Sequence, residues 1–138
     1  MNKIEFGSNS EVVSDYQNEY TIKLRERFLD FSVAIIHFLN TLPVKREYDV
    51  LKYQLSKSAT SIGANYEEAQ STTYKEFIQK VRIALREANE TKYWLEIIRR
   101  LNAGNPDQCA ELINEVAQLS LILGSIASKA DKKLRGEK

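Results

Sequence analysis

The sequence predicts an all-α protein, an antiparallel up-down-up-down four-helix bundle. Three observations carry that reading. The 138 residues hold only five Gly and two Pro, and both prolines stand where helices are expected to begin. Apolar residues recur at steps of three and four along four long stretches. No segment alternates like a strand, and there is no internal repeat. A chain of this length suits one domain and is short for two. A composition 43% hydrophobic and 28% charged excludes a collagen-like, disulfide-stapled or wholly disordered chain.

Residues 1–16 carry Gly7, Ser8, Asn9 and Ser10 without a sustained period and read as a flexible acidic arm; residues 17–138 form the bundle domain. The first helix, about 17–41, follows from Leu24, Phe28, Phe31, Ile35, Phe38 and Leu42. The second, about 44–70, begins at Pro43, whose ring is pre-organised for a first helical turn. Its apolar face is Tyr48, Leu51, Leu55, Ala59, Ile62, Tyr66 and Ala69. Thr73-Tyr74-Lys75-Glu76 is a capping box that opens the third helix, about 73–102, with Phe77, Val81, Ala84, Ala88, Leu95 and Ile98 inward. Asn102-Ala103-Gly104 is a stop. Asn105-Pro106-Asp107-Gln108 then supplies an N-cap, a first-turn Pro and an acidic first turn. The fourth helix, about 106–135, carries Leu112, Val116, Leu119, Leu123, Ile126 and Ala130. A period near 3.5 is the seam of a left-handed bundle, and short connections make sequential helices antiparallel neighbours.

Several features bear on compartment. Met1 to Asn18 has no apolar h-region, so no secretory signal is expected, and no apolar run approaches the ~18 residues of a membrane span. The single cysteine, Cys109, cannot form an internal disulfide. A cytoplasmic location follows as the expectation, with no membrane partner.

The apolar surface exceeds what a monomer needs. With Leu24 and Phe28 inward, Ile22, Leu29, Val33 and Ile36 form a second stripe on the opposite side of the first helix, where a solvated helix would be polar. Ile83, Trp94, Ile97 and Leu101 flank the third helix. Together they are the candidate interface of a closed homo-oligomer. The second helix holds Ser56, Ser58, Ala59, Thr60, Ser61, Gly63 and Ala64; a mid-helix Gly costs about 1 kcal/mol relative to Ala, which close helix–helix packing offsets. Gly124-Ser125 is the expected counterpart. Asn65, near the seam, is assigned a register-fixing role.

No catalytic constellation emerges. His37 is the only histidine, so a di-metal bundle site lacks its ligands. Glu67-Glu68 and Glu87/Glu90 are read as solvated or ion-paired. Ser61-Ile62-Gly63-Ala64-Asn65 is not a phosphate loop, and Leu123-Gly124-Ser125-Ile126 lacks a nucleophile elbow's flanking glycine. Cys109 stands near a helix start, where a thiolate is favoured, but has no matching histidine. The expectation is no enzyme, no cofactor and no metal.

Charge is distributed unevenly. Residues 1–20 set Lys3 against Glu5, Glu11, Asp15 and Glu19, a net −3, which leaves +4 on the rest of a chain of net +1. Lys75, Gln79, Arg82, Arg86, Asn89, Tyr93 and Arg100 line the third helix opposite its core stripe. Lys75, Arg82, Arg86 and Arg100 are the candidate nucleic-acid-binding residues. Lys129, Lys132, Lys133 and Arg135 gather at the end of the fourth helix, in part complementing its dipole.

The run Gln54-Leu55-Ser56-Lys57-Ser58-Ala59-Thr60-Ser61-Ile62-Gly63-Ala64-Asn65-Tyr66-Glu67-Glu68-Ala69, followed by Phe77-Ile78, Ile83-Ala84-Leu85-Arg86-Glu87-Ala88 and Glu90-Thr91-Lys92-Tyr93-Trp94-Leu95, resembles a bacterial four-helix-bundle family. That family is named for proteins encoded in intervening sequences of 23S rRNA genes, and the resemblance spans about residues 21–128. Ser58, Ala59, Ser61, Ile62, Gly63, Asn65 and Glu68 are the signature packing positions it implies. Many members follow the Asn with Glu-Gly and a basic loop; here Glu68 precedes Ala69, and Gln70-Ser71-Thr72 has no Arg. The resemblance implies a ring, commonly a homopentamer, without known enzymatic activity. A related branch, the accessory proteins of diversity-generating retroelements, is a basic pentamer that binds nucleic acid and a reverse transcriptase. The expected function is a non-enzymatic oligomeric bundle that binds RNA or DNA weakly and without sequence preference. The alternative is a structural scaffold for an unidentified protein partner.

Overall fold

A computed structural model describes residues 18–136. The acidic arm expected at 1–16 lies outside the described residues. Four helices follow in order: α1 (Glu19–Leu39), α2 (Arg46–Ala69), α3 (Tyr74–Arg100) and α4 (Pro106–Leu134). No strand occurs among the described residues.

The helix ends follow local chemistry. Asn18 caps α1 by accepting the Thr21 N–H at 2.9 Å. Thr73 accepts the Glu76 N–H at 3.3 Å, and Asn105 accepts that of Gln108 at 3.0 Å. Pro106 holds the first-turn position of α4 as expected. Pro43 does not do so for α2. The helix starts at Arg46 behind an extended Lys45, leaving Pro43 in the connection after buried Leu42. At the end of α3, Asn102 takes the left-handed conformation (φ 53°). The Ala103 N–H then reaches the Ile98 carbonyl at 3.3 Å and that of Asn102 the Arg99 carbonyl at 3.0 Å. Gly104 follows at φ 69°, where a Cβ would also stand 2.7 Å from Thr41 Oγ1. Thr41 Oγ1 accepts the Asn105 N–H at 3.0 Å, tying the α3–α4 connection to the end of α1.

The expected seams form the core. The five named positions within α1 are buried, as are Leu42 just past its end, Leu55, Ala59, Ile62, Tyr66 and Ala69 of α2 and all six named α3 positions. On α4, Ile126 is half-buried and Ala127 takes the inward place beside it. α3 packs closely on α2 and α4; α1 packs on α2 and more sparsely on α4. Phe28 and Tyr66 meet with ring centroids 5.1 Å apart across α1 and α2. Cross-helix ion pairs join Arg25 to Glu67, Arg27 to Glu115 at 2.7 Å and Lys80 to Glu68 at 2.9 Å. These are solvent-exposed enough to add at most about 1 kcal/mol each.

Gly63 permits a close approach, but its counterpart is Phe28 on α1. A Cβ at Gly63 would meet the Phe28 Cβ at 2.8 Å, whereas Gly124 has open space around it. Asn65 fixes no register between helices: its Nδ2 donates to the Ser61 carbonyl of its own helix at 2.8 Å. Ser58 with Thr91 is a buried polar link between helices. Both are fully buried, and their hydroxyls are hydrogen-bonded at 2.9 Å. α4 is also long and apolar enough, by length and composition, to cross a membrane, which corrects the expectation that no stretch comes near. Its Leu112, Val116, Leu119 and Leu123 serve the core.

Candidate nucleic-acid interface

Lys75, Arg82, Arg86 and Arg100 all stand exposed on α3, opposite its buried seam. The first and last lie 25 residues apart, roughly 38 Å along the helix. Arg82 is not free. It reaches Asp131 of α4 at 2.5 Å, and Asp131 is shared with Arg135 at 3.1 Å. Toward the far end of the stripe, Asn89, Lys92, Tyr93, Glu96, Ile97 and Arg100 line a shallow groove of about 500 Å³. Tyr93 is 61% exposed and sits edge-on to Trp94 at 5.3 Å.

The candidate association residues divide into two sets. Ile22, Leu29, Val33 and Ile36 are 44% to 59% exposed along α1. Ile22 and Leu29 border a groove of about 640 Å³ whose floor includes Phe28, Thr60, Gly63 and Ala64 of α1 and α2. Ile83, Trp94 and Ile97 are only half-buried, with Trp94 packed against the core. α1 and α3 are not a substantially packed pair, so the chain does not unite these sets into one surface.

The remaining chemistry-bearing residues resolve into packing and pairing. Glu67 and Glu68 are taken by Arg25 and Lys80. Burial, with Glu90 adding to it, raises the pKa of Glu87. Cys109 is 1% exposed, with Sγ 3.6 Å from the Leu95 carbonyl. Burial pushes its thiol up, so the thiolate expected near a helix start is disfavoured. His37 lines an α1–α4 groove of about 390 Å³ with Asp30, Glu111 and Glu115. Among the described residues no three His, Cys, Asp or Glu side chains are placed to hold a metal ion. Sequence reasoning missed the Arg82–Asp131 and Ser58–Thr91 pairs. Each joins residues far apart in the chain whose meeting depends on helix register.

The arrangement defines an all-α four-helix protein whose candidate sites are exposed helix faces and shallow grooves. The chain belongs to the 23S rRNA-intervening sequence protein family, whose model matches residues 21–125. It is also similar, at 36% identity and a TM-score of 0.69, to a crystallised protein of unknown function from the S23 ribosomal protein family of Bacteroides thetaiotaomicron. The match covers 75% of this chain and 97% of that one. No curated protein matches the chain.

Proposed function

We propose that the chain is a non-enzymatic, cytoplasmic, self-associating bundle that binds RNA or DNA weakly and without sequence preference. The observation that carries this reading is the contrast between two helices: α1 exposes an apolar stripe, while α3 exposes a basic one. Contacts such as Arg25–Glu67, Lys80–Glu68 and Tyr74–Ala130 support the antiparallel up-down-up-down arrangement. The two apolar sets lie on helices that are not substantially packed on each other. Association that pairs these unlike faces is heterologous, and heterologous contacts form a ring where the rotation between copies closes. A homopentamer is the ring the resemblance implies. It would repeat the α3 cations around one assembly and bring several phosphate contacts to bear at once. The exposed residues carry no base-reading pattern, so sequence discrimination is expected to be poor.

One observation favours the alternative, a scaffold for a protein partner: Arg82, one of the four cations, is already held by Asp131. Light scattering and a filter-binding assay decide between the two. The first reading expects a mass several times 15.9 kDa, and binding of single-stranded RNA and duplex DNA that falls steeply as salt rises from about 50 mM. A large particle with no detectable complex at micromolar protein supports the scaffold. A monomer at tens of micromolar sinks both.

A further inference from the structure

We infer that the nucleic-acid phosphate backbone is gripped most strongly at the end of the bundle where α3 begins and α4 finishes, with the rest of the α3 stripe a weaker extension of that site. The inference rests on the nucleic-acid reading above. The Tyr74 hydroxyl donates to the Ala130 carbonyl at 3.2 Å, which docks the first turn of α3 on the last turns of α4. Lys75 therefore shares one end with Lys129, Lys132 and Lys133, and all four are exposed.

Position and charge both point to this end. Lys133 follows Glu115 by eighteen residues, about five full turns, so it lies on the same side of α4. Glu115 meets Arg27 of α1 at 2.7 Å. Lys133, with Lys129 one turn before it, is therefore on the side of α4 that faces α1. Asp131 turns instead to Arg82 of α3. Cations thus stand on both flanks of α4.

Of the acids on these turns of α3 and α4, Asp131 is engaged, and Glu76 stands exposed beside Lys75. Asp131 is held by Arg82 and Arg135, while the three lysines enter no ion pair among the described residues. The α4 dipole contributes only about half a negative charge at its C-terminus, too little to neutralise three lysines. On the stripe, by contrast, Arg86 and Arg100 stand fourteen residues apart, roughly 21 Å, and between them Glu87, Glu90 and Glu96 outnumber Lys92 and Arg99. The polyanion-attracting charge is densest at the end.

The test measures fluorescence anisotropy of a labelled single-stranded oligouridylate against salt. It compares the full chain, K129Q/K132Q/K133Q and R86Q/R100Q, with Lys75→Gln as an independent single variant. All these positions are exposed, so folding should survive, checked by circular dichroism. Neutralising the three lysines is expected to weaken binding by about tenfold or more and to flatten the salt slope by about 2, at roughly 0.7 per phosphate on a single strand. Lys75→Gln should weaken binding by a smaller amount, and R86Q/R100Q by less than either. A loss from R86Q/R100Q equal to or greater than that from the lysine variant overturns the inference and leaves nucleic-acid binding standing. No binding by the unaltered chain overturns both. Equal binding of poly-glutamate at matched charge overturns the assignment to phosphate.

Discussion

Gly63 lies so close to Phe28 that a Cβ added at position 63 would stand 2.8 Å from the Phe28 Cβ. The atom it meets is fixed to the α1 backbone and cannot swing aside as the tip of a long side chain can. Removing this glycine therefore moves a helix. Propensity alone favours Ala over Gly in a helix by about 1 kcal/mol, and overpacking costs about 1–3 kcal/mol. Gly63→Ala is expected to be net destabilising by up to about 2 kcal/mol, and Gly63→Leu by more. Urea melts of both variants check this. An alanine variant more stable than the parent would mean that α1, the more sparsely packed helix, yields at no cost.

Much of the fold was legible because apolar spacing and caps are local properties. Leu24, Phe28, Phe31, Ile35, Phe38 and Leu42 are inward as their steps require, and Asn105 caps α4 as its neighbours require. Local signals fail where two residues satisfy them equally. Pro43 fits a first turn and also fits a connection, and the connection is where it lies. Ile126 and Ala127 are both apolar, and the smaller takes the tighter inward place. The exposure of Lys75, Arg86 and Arg100 was legible from spacing, but the capture of Arg82 by Asp131 was not. That contact depends on how α3 and α4 are set against each other, which no window of sequence contains.

Cys109 should make stability fall in alkaline solution. Burial raises its pKa, so the folded chain holds the thiol proton more tightly than the unfolded chain does. The stabilisation is fully present below the unfolded thiol value of about 8.5 and is lost as pH climbs through the higher folded value. Burial raises the Tyr66 phenol too, extending the loss beyond about pH 10. Melting temperature is expected to drop as pH rises past about 8.5, and Cys109→Ala should shrink that drop. An identical drop in the variant would acquit the thiol.

The α1 stripe should control assembly. Leu29 and Ile36 are exposed in the single chain, so replacing both with Glu should leave folding nearly unchanged. In an interface the same two carboxylates would be stripped of water without partners, which is strongly unfavourable. The double variant is expected to sediment as a monomer near 15.9 kDa while keeping its helical circular dichroism. If it sediments as the parent does, some other face makes the contact, with the Ile83, Trp94 and Ile97 flank the next to alter.

The acidic residues ahead of α1 should weaken nucleic-acid binding. Residues 1–17 carry Glu5, Glu11 and Asp15 against Lys3, and they join the bundle at Asn18, the cap of α1. Arg27 pairs with Glu115, so α1 runs back from that level toward Asn18 as α4 runs forward toward Lys129 and Lys133. Added negative charge near those lysines lowers the local potential that draws in phosphate, and the effect fades beyond a Debye length of about 10 Å at 0.1 M salt. Deleting residues 1–16 is therefore expected to tighten RNA binding by severalfold at about 50 mM salt and hardly at all at about 300 mM. Replacing Glu5, Glu11 and Asp15 with their amides should reproduce most of the gain, which separates charge from bulk. Anisotropy titrations at the two salt concentrations measure both variants. A deletion that changes affinity equally at both, or an amide variant indistinguishable from the parent, would show that the acidic residues do not compete for this end.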